Sequence, residues 1–74
     1  MAENKNCNDL IGMNINDANK YIFNYNVYYN DINIREIREI NIDGESLIIS
    51  DDGFIDRINV QIKNSIITKI YYNS

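Results

Sequence analysis

Apolar positions change their spacing as the chain proceeds. In "GMNINDANKYIFNYN", residues 12–26, Ile15, Ala18 and Ile22 fall at i, i+3 and i+7. That spacing draws one apolar stripe along a helix and leaves Asn19 and Lys20 facing water. Asn14 is the expected N-cap, with Asp17 three residues on, in capping-box position and favourable to the positive end of the helix dipole. Leu10 and Ile11, just before the cap, are expected to pack under the stripe. No other stretch reads as a helix.

From Asn30 the pattern shortens. "DINIREIREINI", residues 31–42, carries isoleucines at 32, 34, 37, 40 and 42. Ile34, Ile37 and Ile40 are three apart, which suits a helix, but Ile32 with Ile34 and Ile40 with Ile42 keep the period of two. The β-branched composition favours a strand carrying a bulge. Asp43-Gly44 is a strong turn signal. Further on, Ile58, Val60 and Ile62 alternate with Arg57, Asn59 and Gln61, and Lys63-Asn64-Ser65 makes a turn in which Asn64 can take a left-handed conformation. "IITKIYY" closes a hairpin, with Ile67 and Ile70 in the core. The order helix, strand, long loop, strand, strand predicts an α+β fold. One N-terminal helix packs on a small mixed β-sheet beside a long exposed loop. Residues 1–74 read as a single domain, with 1–6 as a flexible N-terminal tail and 7–74 as the folded part.

Composition narrows the function classes. A chain of 74 residues buries about 60% of its unfolded surface, so stability on the order of 5 kcal/mol is expected. Cys7 is the only cysteine; no intramolecular disulfide can form, which leans towards a reducing compartment. The net charge of −4, with Tyr21, Tyr25, Tyr28 and Tyr29 set among asparagines rather than cations, argues against a nucleic-acid partner. No apolar run approaches the roughly 18 residues that span a bilayer, and no basic-then-apolar leader opens the sequence. The expectation is a monomer without a membrane partner, with a cytoplasmic location favoured.

Catalytic signals are weak. Histidine is absent, which removes the commonest general base and the Ser/His and Cys/His nucleophile arrangements. Cys7 has no visible activator. "GESL" lacks the second glycine of G-x-S-x-G, and Asp51, Asp52 and Asp56 lack the order of a calcium loop. Adjacent carboxylates in an extended chain point to opposite sides and would not share one substrate. The chain is expected not to be an enzyme and to need no metal or cofactor.

One stretch remains, "SLIISDDGFIDRINV", residues 46–60. Asp51 and Asp52 repel each other there, so the pair does not serve the core. If the segment is extended, Ser50 and Asp52 project to one side and Asp51 to the other. The polar face of the following strand then presents Arg57 and Asn59 two residues apart, and Arg57 can fork onto the Asp52 carboxylate and the Ser50 hydroxyl. Asp52 is braced and Asp51 displayed. A rigid, exposed, extended segment is how a protein offers a strand to a cleft: main-chain hydrogen bonds give affinity and outward side chains give specificity. A solvated acidic loop with an ordinary Asp–Arg surface pair is the plainer alternative.

With these residues together, the chain resembles the potato type I inhibitor family of serine proteases, the eglin and chymotrypsin-inhibitor group, and especially its compact microbial members. "CNDLIG" is similar to the family's opening, "NINDANKYI" to its capped helix, "FIDRINVQI" to the strand after its reactive loop and "KNSIITKIYY" to its terminal hairpin. The resemblance spans about Cys7 to Tyr72. It implies that the loop binds a serine protease like a substrate and is cleaved slowly and reversibly. By position the reactive-site residues are Ile49, Ser50, Asp51, Asp52 and Gly53, with the scissile bond at Asp51–Asp52 and Asp51 as the primary specificity residue. Arg57 and Asn59 match the supporting positions. Members usually carry an apolar specificity residue, so Asp51 points to an acidic-specific protease with a basic pocket. Gly53 stands in place of a bulky residue and Asn59 in place of a second arginine. The alternative is a non-inhibitory protein-binding module of the same fold that uses the acidic loop or a sheet edge.

Overall fold

The helix forms where the stripe places it. In the computed structural model, which describes residues 3–47, 53 and 55–72, α1 spans Ile15–Asn24. The Asn14 side chain accepts from the Asn16 N–H at 2.8 Å, so one of the unpaired first-turn donors is satisfied. Ala18 and Ile22 are buried, Ile15 is half-buried, and Asn19 and Lys20 face solvent.

Two elements precede the helix. Asn4–Asn6 form β1, which pairs in parallel with β2, Asn26–Tyr29. Residues 4–6 of the stretch expected as a tail thus give a strand. Asn-Lys-Asn carries no apolar alternation, and the pairing is made by backbone groups. Cys7–Leu10 form a 3-10 turn, capped by the Asn6 side chain accepting from the Asn8 N–H at 2.8 Å. Three residues per turn put Cys7 and Leu10 on one side, and both are buried. Ile11, expected beside Leu10 under the helix, is instead the extended residue ending this turn and is 48% exposed.

The isoleucine-rich stretch is two strands rather than one. β3, Ile32–Ile34, pairs antiparallel with β2, whereas β4, Glu36–Ile42, pairs in parallel with β6, Arg57–Lys63. This accounts for both spacings of three. The step from Ile34 to Ile37 crosses the break at Arg35, and the step from Ile37 to Ile40 enters a bulge, where the ladder to β6 slips between Glu39 and Asn41. β4 then turns through Asp43 and Gly44, both at positive φ (52° and 90°), into the short β5, Glu45–Ser46. Positive φ at both central residues is the type I′ hairpin geometry. Asn64 and Ser65 (φ 52° and 68°) make the same kind of turn between β6 and β7, Ile66–Tyr72.

The strands form two mixed sheets, β1-β2-β3 and β5-β4-β6-β7, where one was expected. With the helix they make an α+β fold. Both sheets and the helix share one core: Leu10, Ala18, Ile22, Val27, Ile34, Ile58, Val60, Ile62 and Ile67, with Cys7 among them. Most of residues 47–56, where the long exposed loop is expected, lie outside the described residues.

Candidate functional site

Alternation along β6 divides it into two faces. Ile58, Val60 and Ile62 enter the core, and Arg57, Asn59 and Gln61 lie on the other face. The ladder adds Glu36 and Arg38 from β4 beside Arg57 and Asn59, and Tyr71 and Lys69 from β7 beside Asn59 and Gln61. The result is a polar face opposite the helix.

Two residues on this polar face are buried as deeply as core residues: Arg57 is 7% exposed and Asn59 3%. Each has a cross-strand partner. Arg57 Nη1 lies 3.7 Å from Glu36 Oε1, and Arg38 Nε donates to Asn59 Oδ1 at 2.8 Å. Buried polar groups without partners cost about 1–3 kcal/mol each, and these contacts offset part of that cost. The Arg57–Glu36 separation is long for a hydrogen bond, and Glu36 is over half exposed; that pair alone contributes no more than about 1 kcal/mol.

Both ends of the segment between β5 and β6 are tied down. Leu47 N–H donates to Ile40 O at 2.9 Å, extending the β5 edge by one bond. At the far end Arg35 N–H donates to Asp56 O at 2.8 Å, and the Tyr72 hydroxyl donates to Ile55 O at 2.8 Å. Gly53 is exposed with φ 75°, in the left-handed region where a β-carbon is strained. Leu47 (43%) and Ile55 (68%) leave apolar surface open at the two ends.

Of the residues assigned from the sequence, Arg57 and Asn59 sit at same-face positions in the first half of β6, and Gly53 lies in sequence between the two anchored ends. Ile49, Ser50, Asp51 and Asp52 lie outside the described residues. The sequence reading missed Glu36 and Arg38, the partners of Arg57 and Asn59. Their register depended on locating the break at Arg35, which apolar spacing alone does not reveal. It also missed Tyr72, whose hydroxyl reaches across sequence to Ile55.

Elsewhere the chemistry is quiet. Cys7 is a free, buried thiol, and burial pushes its pKa up, away from reactive thiolate. Among the described residues no group of three or more Asp, Glu or Cys side chains could hold a metal ion. Among the described residues no helix is long and apolar enough to cross a membrane. Comparison with protein-family models, curated proteins and solved structures finds no match for this chain.

Proposed function

We propose that the protein is a serine protease inhibitor that binds its target like a substrate through residues 49–53, with Asp51 as the primary specificity residue. The observation that supports it most is the burial of Arg57 and Asn59 on the polar face of β6. Alternation assigns Arg57 to brace such a segment, the family resemblance adds Asn59 as a supporting position, and each has a partner on β4. The anchors at Leu47, Ile55 and Asp56 serve the same end. Tethered ends reduce the ordering cost of binding, about 1–2 kcal/mol for each residue otherwise immobilised in the cleft.

An aspartate forced unpaired into an apolar pocket costs several kcal/mol, so the target carries a basic residue in its primary pocket. Two variants test the reading. Asp51→Leu shifts inhibition from acidic-specific towards chymotrypsin-like proteases, and Arg57→Ala converts a slowly cleaved inhibitor into a rapidly cleaved substrate. If Arg57→Ala leaves both inhibition and cleavage of the segment unaltered, the brace is wrong.

A further inference from the structure

We propose that Tyr72 is a positioning residue that presents Ile55 as a second, apolar contact on the protease; the contact role rests on the inhibitor reading above. Tyr72 ends β7 opposite Ile58. Its ring lies flat on that of Tyr29 from the other sheet, with centroids 4.6 Å apart and planes 7° from parallel. The stack fixes the direction of the phenol, and its hydroxyl donates to Ile55 O at 2.8 Å.

The next carbonyl, Asp56 O, accepts from Arg35 N–H at 2.8 Å. Two consecutive carbonyls are therefore held by two different parts of the chain, β7 and the link between β3 and β4. Single exposed aliphatic residues are common and mean little. Ile55 differs because a side chain 68% open to solvent stands on a backbone held at its own carbonyl and the one after it. A pre-ordered aliphatic group two residues beyond Gly53 is continuous with the proposed contact segment and suits an apolar subsite on the same protease. Phe23 is more exposed still, at 85%, but it lies on α1, outside that segment.

Tyr72→Phe keeps the ring on Tyr29 and removes only the hydroxyl. The intact chain and this variant are treated with a metalloprotease that cuts before bulky aliphatic residues, and the fragments are followed by mass spectrometry. Cleavage before Ile55 rises about tenfold in the variant, the ratio that a lost hydrogen bond of about 1.4 kcal/mol gives, while cleavage elsewhere keeps its rate. An unchanged rate before Ile55, or an equal rise at every site, overturns the positioning role. Ile55→Ser weakens inhibition of the serine protease that the wild-type chain inhibits, also by about tenfold, and an unchanged inhibition constant overturns the contact role. If the wild-type chain inhibits no serine protease, the inhibitor reading and the contact role fall together, whereas the metalloprotease comparison still decides whether Tyr72 holds Ile55.

Discussion

Arg38 on β4 and Asn59 on β6 occupy paired positions of a parallel ladder, and Arg38 Nε donates to Asn59 Oδ1 at 2.8 Å. Two register positions away, on the same face, Glu36 faces Arg57. The polar face is thus built from two cross-strand pairs, each joining a cationic side chain to an acceptor. Asn59 lacks the charge of an arginine, but its amide oxygen gives a neighbouring arginine a fixed seat.

Asn59→Leu keeps the approximate volume and removes the acceptor. The half-buried Arg38 loses that bond, and stability falls by about 1–3 kcal/mol, read as a lower urea midpoint. Asn59→Asp retains an acceptor and loses less. Equal midpoints for Asn59→Leu and wild type would show that the pair is incidental.

The two hairpin turns are joined as well. Asp43 Oδ1 accepts from Asn64 N–H at 2.7 Å, while Asp43 itself is held at φ 52°. Asp43→Ala loses the bond and places a β-carbon residue with no compensating side-chain contact at positive φ, costing about 1–3 kcal/mol together. Asp43→Gly loses the bond but accepts the conformation. The expected order of urea midpoints is wild type, then Asp43→Gly, then Asp43→Ala. An Asp43→Ala midpoint at or above that of Asp43→Gly contradicts the strain at this position.

What the sequence made legible follows from where local chemistry decides. Asn14 can cap a helix whatever surrounds it, and Ile15, Ala18 and Ile22 mark its buried side. Asp43-Gly44 and Asn64-Ser65 announce turns because few residues accept positive φ. β1 was hidden because Asn4, Lys5 and Asn6 show no apolar pattern and pair through their backbone with a strand twenty-two positions later, Asn4 with Asn26. Ile11 was misplaced because the 3-10 turn, which puts Cys7 and Leu10 inward, leaves no periodic trace. The polar half of the site was legible as a place, through the alternation of Arg57 and Asn59 with Ile58 and Val60. Its partners were not, because Glu36 and Arg38 meet those residues only after the chain breaks at Arg35 and β4 aligns in parallel with β6.

Cys7 supplies a pH dependence. Burial holds its folded-state pKa above the ordinary thiol value, so the folded protein keeps a proton that the unfolded chain releases. Its contribution to stability is present in full below the unfolded value of about 8–9. It is lost as pH rises from there through the folded value. Urea midpoints measured from pH 7 to 10 fall on the alkaline side, and the fall is shallower in Cys7→Ala. Identical slopes for the two proteins would mean that Cys7 does not carry the effect. The same burial makes alkylation of the native thiol slow until urea unfolds the chain.

The most direct measurement of the central claim is a titration of an acidic-specific serine protease with the intact protein, run beside chymotrypsin-like and subtilisin-like enzymes, with mass spectrometry of the inhibitor from the same tubes. The account predicts stoichiometric inhibition of the acidic-specific enzyme, accompanied by slow, partial cleavage at Asp51–Asp52. Rapid and complete cleavage there without inhibition, or neither cleavage nor inhibition of any enzyme in the panel, would contradict it.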